Sequence, residues 1–303
     1  MREFKVSIVI PTYCREVELL NTIESLLLQS RRPDEILVVD QTVTHSESVA
    51  TRLARYEQEQ DITWIRLPQP SIPGAMNAGL VQSNGEIVLF VDDDVKPDSD
   101  LVANHLGTHM QQNVALVAGR VVQPWENKEM VDQGAVPGSK FNSINAMMTD
   151  EFPGGNFSVK RTIALNLGGF DENFLFAAYH YEREFADRLQ SGGYRIYYQP
   201  SAWLHHLHAT AGGVRSYGEH LSTARPGHSI GAYYYILTSG LISGKPSTRK
   251  ILNRLLGSFT TRFHLYRPWY IPVTLLAEIT GLIRATGLYN SGQKLLKSDP
   301  DDR

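Results

Sequence analysis

At 303 residues, 42% of them hydrophobic, the chain is long enough for one large α/β domain with an appendage and for a sizeable core. A formal net charge of −3 excludes a globally basic nucleic-acid binder, so no nucleic-acid partner is expected. The single cysteine, Cys14, excludes an internal disulfide, and the N-terminus enters a strand-like run without a small-residue cleavage site, which points to a reducing, cytoplasmic setting.

The first half alternates short β-branched runs with helical patterns. "VSIVI" (Val6 to Ile10) reads as a strand, and Leu19, Leu20, Ile23, Leu26 and Leu27 mark an amphipathic helix. "EILVVD" (Glu35 to Asp40), a polar helix around Ser46 to Glu59, "ITWIRL", a helix after Pro73 and the strand Ile87 to Val91 continue the βαβ rhythm. Continuous apolar strands are buried on both faces, so a mostly parallel sheet covered by helices is expected. After Val122 the rhythm loosens into a stretch with the character of a loop, and "EFPGGNFSVKR" and "GGFDENF" resume compact structure. From about Tyr217 onward the pattern is helical and basic, with Lys245, Arg249, Lys250, Arg254, Arg262, Arg267, Arg284, Lys294 and Lys297 facing only Glu278 among acids between Lys245 and Asp299. No apolar stretch approaches the ~20 residues of a spanning helix, because Pro272, Glu278 and Arg284 interrupt the best candidate, Trp269 to Leu288. The terminal "SDPDDR" reads as frayed.

Ligands of such sheets bind beyond the carboxyl ends of the strands. Asp40 ends the second strand, Asp92, Asp93 and Asp94 end the fourth, and "PTYCR" follows the first, so all three are expected to face one crevice. Three adjacent carboxylates on an apolar strand need a cation or a donor network. Asp92 and Asp94 offer hard oxygens suited to Mg²⁺ or Mn²⁺; the plainer alternative is a solvated turn, with Asp98 or Ser99 capping the next helix. Three histidines, His205, His206 and His208, precede a Gly-Gly-x-Arg loop ending in Arg215, and strand alternation would put His206 and His208 on one face. Cys14 reads as a small semi-buried thiol rather than a nucleophile.

The ordered motifs "VSIVIPTYCR", "EILVVDQT", "PGAMNAGL", "GEIVLFVDDDV", "PGGNFSVKR" and "GGFDENF" resemble the family 2 glycosyltransferases, inverting nucleotide-sugar enzymes of the GT-A fold, over about Val6 to Arg215. The resemblance implies an α/β GT-A domain over 1–215, with a mixed, mostly parallel sheet covered by helices, and a helical C-terminal region over 216–303 for acceptor, membrane-surface or oligomer contacts. It implies nucleotide contacts from Pro11, Tyr13, Arg15, Asp40, Asn77, Asp92 and Asp93, a divalent cation (Mn²⁺ or Mg²⁺) on Asp92, Asp94 and His206, and sugar or acceptor contacts from Gly154, Gly155 and Asn156. Glu182 matches the position of the family's basic Asp, Glu184 falls on a second acid position, and His180 is a weaker alternative base. The chain departs from the pattern at Gln41, Met76 and Tyr181; where Met76 replaces an Arg, Arg15 or Lys160 could supply the cation, though each reads more simply as a solvated charge. Arg215 could steady the diphosphate.

The function expected from this resemblance is transfer of a sugar from a nucleotide-sugar to a hydroxyl of a glycan or lipid-linked acceptor, in cell-surface polysaccharide or glycoconjugate synthesis. A sugar-1-phosphate nucleotidyltransferase would want a glycine-rich loop where this chain has "PTYCREVE". A non-catalytic nucleotide-sugar-binding module is the other alternative, opposed by retention of both Asp92 and Asp94. For the C-terminal region, basic residues among Phe259, Phe263, Tyr266, Trp269 and Tyr270 fit peripheral membrane contact, while packing on the catalytic domain or across a homodimer fits the same pattern.

Overall fold

The computed structural model describes residues 4–134, 138–217, 221–243 and 247–297. Lys245 and the terminal "SDPDDR" lie outside them.

Among the described residues nine strands form one sheet: β1 (Val6–Thr12), β2 (Glu35–Asp40), β3 (Thr63–Arg66), β4 (Ile87–Val91), β5 (Val95–Pro97), β6 (Leu116–Val122), β7 (Met147–Thr149), β8 (Asn156–Lys160) and β9 (Ile196–His206). Their order is β3-β2-β1-β4-β8-β6-β9-β5, with β7 also paired to β9. The first four run parallel, as the βαβ rhythm requires, and β6 and β9 are parallel; β8, β5 and β7 pair antiparallel with their neighbours. The helices are α1 (Val17–Leu27), α2 (Glu47–Gln58), α3 (Ile72–Gln82), α4 (Leu101–Gln111), α5 (Lys128–Asp132), α6 (Arg161–Asn166), α7 (Tyr181–Ser191), α8 (Ile230–Ser243), α9 (Thr248–Phe259), α10 (Arg262–Tyr266) and α11 (Ile271–Asn290).

Alternation along β1, β2 and β4 divides their apolar side chains between two cores. Ile8, Ile10, Val38 and Leu89 pack under α1, α2 and α4, whereas Val9, Val39, Val88 and Phe90 face α3 and α7. The second core extends into the C-terminal helices: Tyr233, Tyr234 and Leu237 of α8 and Ala285 of α11 join Phe174 and Phe185. "GGFDENF" makes this junction. Tyr234 donates to Asp171 at 2.7 Å, Asn173 donates to Tyr234 at 3.0 Å, and the Lys294 amide donates to Asp171 at 3.0 Å.

Three local expectations change. The segment after Val122 is not all loop, since it holds α5 and the edge strand β7. Neither Asp98 nor Ser99 caps α4: Asp100 occupies that position without a side-chain cap bond, and Asp98 accepts from the Asp100 amide at 3.1 Å. Nor is α11 interrupted. Pro272 sits in its first turn, where no amide hydrogen bond is lost, and Glu278 is buried against Arg254 at 3.3 Å. Pro268–Asn290 is therefore long and apolar enough to cross a membrane by length and composition, with 28% of its most apolar window buried. Its inner stripe of Thr274, Ala277, Glu278, Gly281 and Ala285 is buried, and Ser229 fills the space a side chain at Gly281 would need.

Candidate active site

A crevice of about 400 Å³ opens beyond the carboxyl ends of β1 and β4, lined by Pro11 near the end of β1, Tyr13 and Arg15 from the first loop, the three carboxylates after β4, and Glu182 and His206. Its floor answers why an apolar strand ends in three acids. Asp93 turns inward, accepting from Thr12 Oγ1 at 2.8 Å and Arg15 Nε at 3.1 Å; burial pushes its carboxyl up to about 7, with Arg15 opposing and Asp94 adding to the rise. Asp94 accepts from Arg15 Nη2 at 3.2 Å and from the Ala209 amide at 2.8 Å. Burial raises its pKa, but the hydrogen bond and charge of His206, 3.2 Å away, together with Arg15, hold it below the ordinary value. Asp92 opens into the crevice; the surrounding protein still removes much of its hydration, and this burial raises its pKa despite His206. Two of the acids thus have donor networks, and the third faces the ligand space.

His206 reaches this cluster through strand pairing. Val95 of β5 pairs with His206 at the end of β9, and the Leu207 amide donates to the Asp94 carbonyl at 2.8 Å. Ligand atoms of Asp92, Asp94 and His206 lie within 4.8 Å of one another, and two carboxylate oxygens with an imidazole nitrogen fit Mn²⁺ or Mg²⁺. His208 lies beyond β9 in the left-handed region (φ 55°), so strand alternation does not place it; its ring meets His206 edge-on at 5.7 Å.

The glycine pair brings the acids together by leaving space. A Cβ at Gly155 would lie 2.0 Å from Asp92 Oδ2, and one at Gly154 would lie 2.5 Å from Tyr181 Oη and 2.7 Å from Glu182 Oε1. Asp92 therefore rests on one glycine while Tyr181 and Glu182 rest on the other. Burial pushes Glu182 up to about 7, with its own backbone amide opposing and the Asp92 charge adding. Tyr181, where the family pattern has an acid, is buried, and burial with the Glu182 and Asp92 charges holds its hydroxyl neutral.

Several expected site residues do not face the crevice. Glu184 is buried in a two-pronged pair with Arg188 at 2.6 and 2.8 Å and accepts from Gln293 at 2.7 Å. Asn77 spends its amide on the Phe170 backbone, in both directions at 2.8 Å, and on Glu172 at 3.1 Å, tying α3 to "GGFDENF". Asn156 satisfies the carbonyls of Arg120 and Ala202 at 2.9 and 3.0 Å, beside the register shift between β6 and β9, and its oxygen meets His105 Nε2 at 3.0 Å. Asp40 accepts from Thr42, His45 and Trp64 at 2.7 to 2.9 Å, so it shapes the loop while Gln41 beside it lines the crevice. Lys160 pairs with Ile87, at the opposite end of β4. Arg15 is not a solvated charge: it is 5% exposed. Cys14 is exposed rather than semi-buried, and it too has positive φ (55°).

Sequence reading missed His45, whose ring bridges Asp40 at 2.7 Å and Glu16 at 2.8 Å. Burial lowers its pKa, but the bonds to Asp40 and Glu16 outweigh this and raise it. No local pattern announced that bridge, because its partners lie 5 and 29 positions away.

The family profile for Glycosyl transferase family 2 matches residues 7–168. The chain is 29% identical over 213 residues to the GalNAc(5)-diNAcBac-PP-undecaprenol beta-1,3-glucosyltransferase of Campylobacter jejuni, covering 66% of this chain and 67% of that one. It is 23% identical over 214 residues to the probable glycosyltransferase YdaM of Bacillus subtilis, covering 65% of this chain and 49% of that protein, so it spans about half of the latter's length. Among solved structures, the mannosyltransferase PcManGT of Pyrobaculum calidifontis in complex with GDP-Man and Mn²⁺ superposes with a TM-score of 0.58 at 20% identity, over 96% of this chain and 80% of that one. S. aureus TarS 1-349 in complex with UDP-GlcNAc gives 0.60 at 17% identity, over 98% and 95%. At such identities the superpositions establish the fold. With the profile running over more than half of the 303 residues, the chain belongs to glycosyl transferase family 2 and has the GT-A nucleotide-sugar-binding fold.

Proposed function

We propose that this glycosyltransferase is an inverting enzyme that moves a sugar from a nucleotide-sugar to a hydroxyl of a lipid-linked acceptor in glycoconjugate synthesis, with Glu182 as general base and a divalent cation on Asp92, Asp94 and His206. The observation that carries this reading is the convergence of two unlike carboxylate environments on one glycine pair: two carboxylates and an imidazole arranged as a ligand set on one side and a partly buried, basic glutamate on the other. Glu182 takes the proton of the acceptor hydroxyl as its oxygen bonds to the anomeric carbon, and the bond from that carbon to the diphosphate oxygen breaks with its electron pair leaving on the diphosphate. A divalent cation, Mn²⁺ or Mg²⁺, supplies stabilisation of the charge on that leaving group. Arg15 adds to it from the protein side, because its Nη1 is buried without a partner and the residue lines the crevice; Arg215 lines the same wall. Pro11, Tyr13 and Gln41 form the wall assigned to the base.

The substrate in the name of the Campylobacter relative, a sugar chain on PP-undecaprenol, supports a lipid-linked acceptor. Exposed Leu265, Tyr266, Trp269, Leu276 and Ile283 near Arg262, Arg267 and Arg284 support contact of the C-terminal helices with an anionic membrane surface. Inversion is tested by proton NMR of the product from an α-linked nucleotide-sugar: a β-anomeric product is expected, and an α product rejects direct displacement. Co-sedimentation with phosphatidylglycerol vesicles at low salt tests the membrane contact, and a chain that stays in the supernatant points instead to packing between copies.

A further inference from the structure

A second cavity, of about 640 Å³, lies between α8 and α9, outside the crevice, and its lining holds Lys250, Asn253, Arg254, Ser258 and Thr261 against an apolar wall of Tyr235 and Ile236. Among the described residues no aspartate or glutamate lines it. The Ser258 and Thr261 hydroxyls are taken by the Leu255 carbonyl and the His264 ring, but three other donors are unused, two of them, on Lys250 and Asn253, exposed at its mouth. Among the described residues the Lys250 ammonium and the Asn253 amide have no hydrogen-bond or ion-pair partner, and Arg254 Nε is buried without one. Arg254 keeps its Nη2 on Glu278 at 3.3 Å and lies over the Tyr233 ring at 5.3 Å, so its guanidinium is fixed while its Nε is free. Three unpaired donors with net positive charge beside an apolar wall match an oxyanion carried on a hydrophobic group.

The cavity also touches the catalytic helix. His180 lines it, while Tyr179 and Glu182, on either side of His180 in sequence, line the crevice. His180 has φ 73°, and its ring stacks on Tyr235 at 5.3 Å, so the turn into α7 forms the partition between the two spaces. Burial first, then the charge of Arg254 against the opposing charge of Glu151, holds the His180 pKa below its ordinary value.

We infer that the cavity between α8 and α9 binds the phosphate or diphosphate group of the acceptor, through Lys250, Asn253 and Arg254, and so delivers the acceptor hydroxyl over His180 to Glu182. This inference rests on the proposed lipid-linked acceptor and gives it a place to bind. Arg254 is a poor test position, because removing it strands the buried Glu278. Gly257 is a good one: it lines the cavity on a helix, and an added Cβ there meets nothing within 4 Å, so Gly257→Glu sets a carboxylate beside the donors without a clash.

The experiment is calorimetric titration of the full chain, in EDTA, with inorganic diphosphate and with a short isoprenyl diphosphate, the isoprenyl alcohol serving as control. EDTA keeps the crevice carboxylates free of metal, so they repel the same anions. Both diphosphates are expected to bind the wild type saturably, with affinity about tenfold weaker in Lys250→Gln and lost in Gly257→Glu, while both variants keep the wild-type melting temperature. Equal affinities in all three proteins overturn the inference. Phosphatidylglycerol vesicles separate the two sources of phosphate. If the variants weaken vesicle binding and leave isoprenyl diphosphate binding intact, the cavity reads membrane headgroups and the acceptor assignment is rejected. Nucleotide-sugar binding in Mn²⁺, measured on the wild type alongside, keeps the outcomes distinct, since its absence refutes the transferase reading and not the anion site.

Discussion

Glu182→Gln separates chemistry from stability at one atom. Glu182 is pushed from 4.5 to about 7, chiefly by burial and further by Asp92, so its charged form is disfavoured in the folded state. A folded-state pKa above the unfolded one means stability that is complete below about pH 4.5 and lost as pH rises through about 7; the full shift corresponds to about 3 kcal/mol, reduced to on the order of 1–3 kcal/mol by water in the crevice. Glutamine carries no charge, so at pH 8 Glu182→Gln should melt higher than the wild type while turnover falls ~10²-fold or more, with nucleotide-sugar affinity unchanged. Wild-type turnover should itself fall as pH drops through about 7, or a lower value where a cation on Asp92 and Asp94 pulls the pKa down. Glu184→Gln should do the reverse, since it loses a buried pair with Arg188 and leaves the crevice untouched: lower melting temperature, near-normal turnover. Differential scanning calorimetry and steady-state assays on both variants decide. If Glu182→Gln turns over normally, or Glu184→Gln alone is inactive, the assignment of the base is refuted.

Gly155→Ala should abolish Mn²⁺ binding with little change in fold, because its Cβ would sit 2.0 Å from Asp92 Oδ2 and drive that carboxylate from its place; Mn²⁺ paramagnetic titration reads this, and unchanged affinity contradicts the role given to Asp92. Asn77→Ala should lower stability by about 2–4 kcal/mol in urea titration, because it strands the Phe170 amide and carbonyl, yet leave the KM for the donor within twofold; a large donor effect would return Asn77 to the nucleotide site. The buried pair His105 and His109, pushed down to about 4 and about 3 by burial, should cost stability on acidification: below pH 6.5 the unfolded chain takes up protons that the folded chain refuses until those lower values. Because Glu182 and Asp93 change stability in the opposite sense over the same range, the test is the difference between proteins: the urea midpoint of the wild type should fall relative to that of His109→Gln between pH 7 and pH 5, and a difference independent of pH contradicts the assignment.

The parallel half of the sheet was legible because its signal is local: apolar runs at Val6 to Ile10, Glu35 to Asp40 and Ile87 to Val91 have one reading when helical patterns separate them. The acid cluster was legible for the same reason, and the strand-end rule gave it an address. What could not be read was which polar residues look inward. Asn77 and Asn156 carry side chains suited to ligand contact, but their amides are consumed by backbone groups 93 and 36 positions away, pairings that exist only once β8 crosses between β4 and β6. The plainer reading of Arg15, a solvated charge, failed in the opposite direction. As an isolated charge in a loop it read as solvated, and only the inward turn of Asp93 and Asp94 makes it a buried counter-ion. Continuity of α11 was hidden because Pro272 and Glu278 look like interruptions until the helix start and the Arg254 pair are seen.

The central claim, that this crevice cleaves a nucleotide-sugar with the help of a divalent cation, is tested most directly by nucleoside diphosphate release. The full chain, cleared of metal with EDTA and supplied with acceptor lipid extract, is assayed across a panel of nucleotide-sugars with and without Mn²⁺. Release from at least one donor is expected only with Mn²⁺ restored, and it should be absent in Asp94→Ala, whose ligand set with Asp92 and His206 is broken. Release of equal rate in EDTA, or an Asp94→Ala protein as active as the wild type, would contradict the account.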